Sequence, residues 1–363
     1  MDTTAQKELS RAEALMSTDP RSTEPLSEDY PLVFGEHAPG SVITVDEEVD
    51  GEVQVRAVCG ILVRELIVPG ARLRVGLIGS VMTDAEHRGQ GWGRLLLDKA
   101  EEALRNEGCI CSMLWADDAA FYDSLGYSAV GTEYDYVLDA ALSAILPSMQ
   151  GVREMRDDDV VAIQRLQSAR AVRVERSLDE MRLLLQMPGV QVLVHEHEGE
   201  VVAYSCLGRG ADFPSVIHEW AGKGEYFLAL LQGHIQTRAD AGDIDPMVVM
   251  ASEEDASVRH FFEIIDAHRV CGVLGLAKAL DIDVSATVVR DLIGDRVDVS
   301  ITDEGTLELK GPEGQVTMAN AELLGTLLEP RGERIAVEQL EASLGAQLPE
   351  LPLRPFVWGL DSI

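Results

Sequence analysis

The hydrophobic and polar positions of this chain first follow a helical and then a strand-like pattern. Apolar residues in AQKELSRAEALM recur at helical spacing and predict a short helix within the first 30 residues or so, followed by a connector containing Pro and Ser. From Ser41 to Thr83, the segments SVITVDEE, VQVRAVCGILVREL and RLRVGLIGSVMT predict three strands, and VDGE and VPGA supply the turns. The chain is therefore predicted to build a sheet before its first long helix.

A strongly amphipathic helix is predicted from about Gly91 to Glu107. Its apolar residues are spaced to line one face, and they are Leu95, Leu96, Ala100, Ala103 and Leu104. Beyond it, CICSMLWA predicts a buried strand, DAAFYDSLG a short helix and YDYVLDA a last strand. Mixed strands with one helix emerging from the sheet centre predict an α/β or α+β domain spanning residues 1–150.

The order of elements then repeats. From GVREMR to ASVRHFFEIIDAH the pattern again alternates strands and helices, and it predicts a second mixed-sheet domain over residues 151–290. The similar order suggests an internal duplication with a period near 140 residues, too long for a solenoid repeat. Residues 291–363 contain a hairpin, an amphipathic helix and an apolar tail, which predict a small α+β segment packed on the larger domains.

Length and composition favour a soluble, cytoplasmic protein. The 363 residues suggest two or three domains. No apolar run reaches the roughly 18 residues that a membrane helix needs, and the N-terminal residues are polar. The five cysteines, an odd number scattered along the chain, suggest free thiols in a reducing compartment.

The charge of the chain is strongly negative. Thirty Lys and Arg residues against 63 Asp and Glu residues give a formal net charge of −33. Such a field repels nucleic acid and anionic membranes and attracts cations, so neither of those two partners is expected. Two explanations stay open, a cationic substrate such as an amine and a general acidity that serves solubility.

Three glycines in VMTDAEHRGQGWGRLLL lie at the mouth of the predicted long helix. The first turn of a helix has unpaired N–H groups and the positive end of the helix dipole, which together suit a phosphate. Gly89, Gly91 and Gly93 would let a pyrophosphate approach, and Arg88 and Arg94 add positive charge. The spacing fits neither a nucleoside-triphosphate P-loop nor a Rossmann fingerprint, and a flexible turn with an incidental arginine remains the alternative.

Two motifs in this region resemble those of the GNAT superfamily of N-acetyltransferases. Arg88, Gly91 and Gly93 match its acyl-CoA-binding pattern R/Q-x-x-G-x-G/A. About 30 residues later, AAFYDSLGYSAVG is similar to the family's F-Y-x-x-x-G-F segment, with Tyr127 in place of the final Phe. The resemblance covers residues 81–131 directly, and the predicted strands around them agree with the family fold. It implies a chain of two tandem GNAT-like domains followed by the small C-terminal segment.

The resemblance implies acetyl-CoA as co-substrate and no metal. In the family, a bulged strand pairs with the pantetheine arm, loop amides hold the pyrophosphate, and a tyrosine hydroxyl protonates the departing thiolate, a role that Tyr122 would fill. The residues assigned to acetyl-CoA binding are Val81, Met82, Thr83, Arg88, Gly89, Gln90, Gly91, Trp92, Gly93 and Arg94.

The whole chain is similar to a narrower group, the enhanced-intracellular-survival (Eis-like) acetyltransferases. There a third domain resembles sterol carrier protein, and the terminal carboxylate serves as general base, which would be Ile363 here. The third segment of this chain, about 70 residues, is shorter than a full sterol-carrier fold. The implied function is acetyl transfer to an amine of a small molecule or peptide by direct attack in a ternary complex. A non-catalytic acyl-CoA sensor or assembly module is the alternative, and a homo-oligomer stays open.

Other residues with chemical potential are predicted to be structural. The second domain reads AGKGEYFLALL at the equivalent loop and lacks the arginine, so we expect no acyl-CoA binding there. His218 and Glu219 are neighbours on a strand and point to opposite faces, which disfavours a shared metal ion. His195 and His197 share a strand face but have no third ligand nearby on it, so an exposed hairpin is predicted there, and Cys109 and Cys111 share a face of an apolar strand and are predicted to be buried core. Glu86, Asp117 and Asp118 border the predicted site and could attract an amine or serve as base through water, although acidic loop residues are usually just solvated.

Overall fold

A computed structural model describes residues 3–17, 25–116, 118–209 and 213–363. Its strands are β1 (Ser41–Val49), β2 (Glu52–Val68), β3 (Ala71–Thr83), β4 (Cys111–Leu114), β5 (Ser128–Val130), β6 (Glu133–Leu138), β7 (Val152–Glu154), β8 (Arg173–Val174), β9 (Gln191–His197), β10 (Glu200–Leu207), β11 (Val216–Gly222), β12 (Met247–Ala251), β13 (His268–Gly272), β14 (Gly275–Ala279), β15 (Asp298–Ile301), β16 (Leu307–Lys310) and β17 (Gln315–Met318). Its helices are α1 (Thr3–Met16), α2 (Leu26–Asp29), α3 (Pro31–Phe34), α4 (Trp92–Asn106), α5 (Ala119–Asp123), α6 (Val160–Ser168), α7 (Leu178–Leu185), α8 (Gly224–Asp240), α9 (Ala256–Ile264), α10 (Ile282–Ile293), α11 (Asn320–Leu327) and α12 (Ile335–Leu344).

The chain forms two compact units, each with its own sheet. The first unit comprises Met1–Gly131, Val273–Pro355 and Ile363, and the second comprises Thr132–Gly272 and Phe356–Ser362. In the first unit the strands follow the order β1-β2-β3-β4-β14-β5, and β3 and β4 are parallel neighbours in an otherwise antiparallel arrangement. In the second unit the order is β7-β9-β10-β11-β12-β6-β13, with β11 and β12 as the parallel pair.

The two sheets repeat one scheme, because β2-β3-β4-β14-β5 and β10-β11-β12-β6-β13 have the same sequence of antiparallel and parallel pairings. This scheme confirms the predicted fold class of two tandem mixed-sheet domains. It also shows an exchange: β6 fills the second sheet between β12 and β13, and β14 fills the equivalent place in the first sheet between β4 and β5.

The exchange changes the segment boundaries that the sequence suggested at residues 150 and 290. The chain leaves the first unit after Gly131 and returns to it at Val273. Strand pairing decides the unit to which a strand belongs, and local hydrophobic pattern does not reveal the partner of a strand. The predicted third segment is likewise not separate, since its residues up to Pro355 belong to the first unit.

The predicted long helix, α4, packs on the first sheet through one apolar stripe. Its buried residues include Leu96, Leu97, Ala100 and Leu104, whereas Leu95, which the spacing assigned to this stripe, is 44% exposed. A Cβ atom at Gly76 of β3 would overlap the Leu104 side chain, so the glycine permits the close approach of helix and strand. This packing fixes the N-terminus of α4 relative to the end of β3.

The C-terminal part of the first unit is a small antiparallel sheet, β15-β16-β17, accompanied by α10, α11 and α12. The carboxylate of buried Glu329 accepts hydrogen bonds from the backbone amides of Ala336 and Val337 and so caps α12. Sequence reasoning missed α10, whose first turn is capped by Asp281. No helix among the described residues is long and apolar enough to cross a membrane.

The second unit contains a fully buried ionic cluster. Arg176 donates to both carboxylate oxygens of Glu219, each at 2.8 Å, and also to Asp361 at 3.0 Å through its Nε. The Tyr204 hydroxyl donates to Glu219 at 2.6 Å. These contacts explain how three charged side chains are tolerated in the interior, because Arg176 pairs directly with both Glu219 and Asp361. Asp361 belongs to the tail segment Phe356–Ser362, so the cluster ties this segment to the second sheet.

Candidate active site

A β-bulge interrupts β3 near its carboxyl end. Val58 of β2 pairs with Met82, but the next aligned pair is Gly60 with Gly79, so Ser80 and Val81 together oppose the single residue Cys59. Ser80 has a φ of 51°, in the left-handed region that non-glycine residues rarely adopt. The bulge re-aims the backbone of the strand just before the glycine-rich turn, as the family resemblance implied for this strand.

Beyond Leu77, the edge of β3 that faces β4 loses its strand partner. The two strands pair only from Val75 to Leu77 and from Cys111 to Met113. Because β3 continues to Thr83 and its other edge is paired with β2, its last residues offer unpaired backbone groups on one side within the described part of the chain. Val81, Met82 and Thr83 lie on this stretch and are half-buried. An extended ligand can pair with such an edge as an added strand would.

The N-terminus of α4 lies beside the end of β3, where Gly93 approaches Thr83. Gly91 is the N-cap residue with a φ of 91°, Gly89 has a φ of 75°, and the first turn of the helix contains no acidic residue. A Cβ atom at either glycine would meet no protein atom within 4 Å, so backbone conformation and not protein packing requires glycine at both positions. Unpaired amides and the helix dipole make this 15-residue helix a suitable anion site.

The remaining residues of the turn surround these amides. Arg88, Gln90 and Arg94 are exposed, and the Arg88 Nε donates to the Thr83 carbonyl at 3.4 Å. Trp92 is half-buried against the hydrophobic core. A Cβ atom at Gly93 would make only ordinary van der Waals contact, 3.4 Å from the Thr83 hydroxyl oxygen, so the start of the helix lies next to the end of β3 without packing so tightly that it requires glycine. The structure therefore brings the predicted acyl-CoA residues together at the end of β3 and the start of α4.

Tyr122 lies on α5 and packs against the same core as Val81 and Trp92. Its ring makes edge contacts with the rings of Phe121, at 5.0 Å between centroids, and Tyr127, at 5.7 Å. Burial raises the pKa of the Tyr122 hydroxyl above its usual value of 10, and the neighbouring Cys59 and Asp118 raise it further. The hydroxyl is therefore protonated at neutral pH and can act as a proton donor.

A buried polar network holds Tyr127 beside it. The Tyr127 hydroxyl donates to Glu101 of α4 at 3.1 Å and accepts from Ser112 of β4 at 3.0 Å. Glu101 also accepts from Lys278 of β14 at 2.6 Å. Burial, followed by the charge of Glu101, raises the pKa of Tyr127 far above its usual range, so Tyr127 stays neutral. The network fixes the ring against which Tyr122 packs, and its Lys278 comes from the exchanged strand.

The last residue of the chain lies at the bulge. A Cβ atom at Gly79 would overlap the terminal carboxyl group of Ile363 and would also contact its side chain. Ile363 is half-buried and belongs to the first unit. The only residue type that leaves room for a carboxyl group at this point of β3 is glycine, because every other residue has a Cβ atom. A carboxylate is thereby placed next to the predicted acyl site.

Sequence reasoning missed three residues that anchor the turn. The Arg56 guanidinium, on β2, donates to Glu47 at 2.7 Å and to Asp84 at 3.2 Å, and Asp84 lies 2.7 Å from the Nδ1 of His87. Asp84 also accepts from the backbone amide of Glu86 at 3.2 Å. The signal available in the sequence was an Asp placed two residues before an amide that it could cap. A buried arginine on an apolar strand carries no such local signal.

The other residue pairs singled out in the sequence have structural partners. His218 donates to the Gly208 carbonyl at 2.9 Å, while Glu219 joins the ionic cluster of the second unit. The rings of His195 and His197 are tilted against Tyr226, and His195 is buried, so this hairpin is not fully exposed as the sequence suggested. Burial raises the pKa of Cys109 to about 11 and that of Cys111 to about 12, which keeps both thiols protonated. No group of three or more potential ligands among the described His, Cys, Asp and Glu residues is arranged to hold a metal ion.

The acidic residues near the turn are solvated. Glu86 and Asp118 are exposed, and Asp118 precedes α5. Asp117 lies outside the described residues. Both exposed carboxylates are on the first unit: Glu86 lies in the turn that follows β3, and Asp118 lies between β4 and α5, so they add negative charge after these strands.

Comparisons with known proteins agree with this geometry. Residues 37–130 match the family model described as an acetyltransferase (GNAT) domain. A search among curated proteins gives no significant match. Among solved structures, a GCN5-related N-acetyltransferase from Anabaena variabilis is 14% identical, covers 88% of this chain and 82% of its own, and has a TM-score of 0.58.

Two further solved structures share the fold. Eis1 from Mycobacterium abscessus is 12% identical and covers 99% of this chain and 96% of its own, with a TM-score of 0.52. A GCN5-related N-acetyltransferase from Kribbella flavida is 17% identical and covers 74% and 71%, with the same TM-score of 0.52. The likeness to Eis1 spans both units and the C-terminal part, in agreement with the Eis-like resemblance. Residues 37–130 of this chain therefore form a GNAT acetyltransferase domain.

Proposed function

We propose that this chain transfers an acetyl group from acetyl-CoA to an amine by direct attack in a ternary complex. One observation carries the proposal: the first unit contains the bulge of β3, the glycine-capped N-terminus of α4, the Tyr122 ring and the terminal carboxyl group of Ile363, and Gly93 of α4 lies close to both the end of β3 and α5. These are the parts that acyl transfer needs, namely an anion site, a strand edge, an acid and a base.

Acetyl-CoA suits the residues at the end of β3 and the start of α4. The amides from Arg88 to Arg94 would hold the pyrophosphate at the start of α4, and the two arginines would balance its charge. The unpaired edge of Val81, Met82 and Thr83 would accept the amide-containing pantetheine arm. When bound, acetyl-CoA supplies an activated thioester carbonyl.

The protein residues would divide the proton transfers between them. A backbone amide of the bulged strand would donate a hydrogen bond to the carbonyl oxygen as negative charge develops on it. The Tyr122 hydroxyl would protonate the departing sulfur, because its raised pKa keeps the proton on the tyrosine until the thiolate forms. The carboxylate of Ile363 would accept a proton from the attacking amine, directly or through one water molecule.

We propose a cationic, and preferably polycationic, acceptor. The net charge of −33 attracts ammonium groups, and the exposed carboxylates of Glu86, after β3, and Asp118, before α5, add negative charge to the first unit. A carboxylate at the C-terminus suits an ammonium substrate, which must lose a proton before it can attack. Aminoglycosides, polyamines and lysine side chains all meet this description.

We place no acyl-CoA site in the second unit. At the equivalent position, α8 begins with Glu225 in its first turn, and an acidic side chain there competes with a phosphate. The indole Nε1 of Trp220 on β11 donates to the Met250 carbonyl of β12 at 3.2 Å, so an aromatic side chain bridges the two parallel strands β11 and β12. Trp220 is itself stacked on Phe227.

The test is CoA release from acetyl-CoA in the wild type and in Tyr122→Phe, with aminoglycosides, polyamines and lysine peptides as acceptors. We expect turnover with a cationic amine and a fall in kcat of about ten- to a thousandfold in the variant. Tyr134→Phe, on β6 of the second unit, is the matched control and should keep wild-type turnover. Tight binding of acetyl-CoA without turnover for any amine would replace the proposal by a non-catalytic acyl-CoA sensor.

A further inference from the structure

The turn that would hold the pyrophosphate is attached to the sheet by a small group of charged residues. Arg56 is only 6% exposed and lies on β2, opposite the end of β3, where Ala57 pairs with Thr83. Its guanidinium reaches Glu47 on β1 and Asp84 at the start of the turn. One buried cation thus connects both neighbouring strands to the first residue of the turn.

Asp84 is the centre of this group. Its backbone amide donates to the Arg56 carbonyl at 2.9 Å, and its carboxylate accepts from the Glu86 amide at 3.2 Å. The other carboxylate oxygen, Oδ2, lies 2.7 Å from His87 Nδ1 and 3.2 Å from Arg56. Burial works against ionisation, but the hydrogen bond from Glu86 and the contacts with His87 and Arg56 outweigh it, so the pKa of Asp84 is lowered.

The short distance between Asp84 Oδ2 and His87 Nδ1 determines which ring nitrogen of His87 carries a hydrogen. An ionised carboxylate can only accept, so Nδ1 of His87 must carry the hydrogen that points to Asp84. The Arg56 N–H lies 3.4 Å from the same nitrogen, but a protonated Nδ1 has no free lone pair to accept a hydrogen bond. Arg56 therefore donates to Asp84 instead. His87 and Arg56 therefore both donate to Asp84, and the imidazole directly before Arg88 is held in one orientation.

We propose that Arg56, Asp84 and His87 are positioning residues that hold the amides from Arg88 to Gly91 in the conformation that binds the pyrophosphate of acyl-CoA. The proposal rests on the proposed function, since it assigns the preorganisation of that same anion site. A Cβ atom at Gly89 or Gly91 would meet no protein atom within 4 Å, so packing does not fix the backbone at these two glycines, and the start of the turn has to hold it. Arg56 and Asp84 provide a fixed beginning, and preorganised donors bind an anion more tightly than mobile ones.

The same sheet contains an ion pair that only joins two strands, and it serves as a comparison for the Arg56 group. Arg74 on β3 donates to Glu65 on β2 at 2.9 Å, which joins the same two strands at their other end. That pair makes no contact with the turn that follows Thr83. Glu65→Gln is therefore a matched control: it removes one carboxylate charge between β2 and β3 and leaves the turn untouched.

The experiment compares Asp84→Asn, Asp84→Ala and Arg56→Lys with Glu65→Gln in the full-length protein. We measure the Kd for CoA by calorimetry, the KM for acetyl-CoA and kcat, and amide hydrogen exchange of residues 84–91 without ligand. Loss of a charge-assisted contact should raise the Kd and KM of the Asp84 variants about tenfold while kcat stays within about twofold. Arg56→Lys should weaken binding as well, because one ammonium cannot reproduce the forked contacts to Glu47 and Asp84.

Exchange of residues 84–91 should quicken in the Asp84 variants and not in Glu65→Gln. An unchanged Kd together with unchanged exchange in Asp84→Ala would overturn the proposal. A fall in kcat with an unchanged KM would also overturn it, because it would make Asp84 part of the chemistry and not of the binding loop. If the wild type binds no CoA, the proposed function fails, and the exchange measurement alone still reports whether these residues order the turn.

Discussion

The terminal carboxyl group of Ile363 occupies the space that a side chain at Gly79 would need. Gly79 is the residue just before the bulge at Ser80, so the end of the chain lies beside the strand segment that would bind the acyl group. Gly79 and Ile363 are 284 residues apart in the sequence, and the absence of a Cβ atom at Gly79 leaves room for the carboxyl group of Ile363. This relationship makes the role of the C-terminus directly testable.

Gly79→Ala should displace the terminal carboxylate and lower kcat by about a hundredfold, with little change in the KM for acetyl-CoA. Adding one glycine after Ile363 should have a similar effect, because it moves the carboxylate by about 3.5 Å. Ile363→Val keeps the carboxylate in place and is the control. Steady-state kinetics at several pH values report the result, and full activity of the extended protein would contradict a catalytic role of the terminus.

Gly91→Ala should weaken CoA binding and lower stability by about 1 kcal/mol, because φ is 91° at this N-cap position and an L-residue is strained there. Gly325→Ala is the matched control. This glycine lies inside α11, a Cβ atom there would meet no atom within 4 Å, and alanine favours a helix. Urea unfolding and calorimetry with CoA measure both effects. Equal stability changes in the two variants would contradict the strain assigned to Gly91.

Arg176→Leu should destabilise the second unit by about 3–5 kcal/mol, since it leaves the carboxylates of Glu219 and Asp361 buried without their cation. The control is Arg182→Ala, which breaks an exposed pair with Asp179 and should cost at most about 0.5 kcal/mol. Chemical unfolding followed by tryptophan fluorescence is suitable because Trp220 and Trp358 are both buried in this unit. A small loss in Arg176→Leu would show that water reaches the cluster.

The second unit should lose stability in acid through two buried histidines. Burial lowers the pKa of His218 to about 4 and that of His234 to about 3, while an unfolded chain protonates both near pH 6.5. The unfolded state therefore binds more protons between these values, so the free energy of unfolding falls as the pH drops from about 6.5 to about 4, by roughly 3 kcal/mol per histidine. The stability is complete above pH 6.5.

His218→Asn should flatten this pH dependence in urea unfolding measured between pH 7.5 and 4.5. His234 is held by a hydrogen bond from the Ser205 hydroxyl at 2.8 Å and by its own donation to Gln191 at 3.1 Å, so His234→Gln tests the second contribution. Only the slope is compared, because each substitution also changes packing. A variant that keeps the wild-type slope would show that its histidine is protonated in the folded protein.

The parts of the molecule with strong local signals could be predicted from sequence. The glycine-rich turn and α4 combine a helix period, a cap position and a motif, and the structure places them as expected. The bulge at Ser80 followed from the family resemblance and not from any pattern in RLRVGLIGSVMT. The start of α7 also has a local signal, since Ser177 accepts a hydrogen bond from the Glu180 amide and caps the helix.

The parts decided by distant pairing could not be predicted. The segments of β6 and β14 look like ordinary strands, and nothing within them indicates that each joins the sheet built by the other stretch of chain. Arg56 is 28 residues before its partner Asp84 and sits in an apolar strand, where an arginine usually marks a solvent-facing position. Such residues emerge only when the sheet register is known.

The exchanged strand β14 has a consequence for how the protein is made. The sheet of the first unit needs Gly275–Ala279 between β4 and β5, and the pairings of β5 within the described sheet are to β14. A ribosome must therefore translate the chain as far as Ala279 before the sheet of the first unit can close. An acetyltransferase domain cut out at residues 37–130 would lack β14, so a nascent chain of that length cannot complete the sheet between β4 and β5.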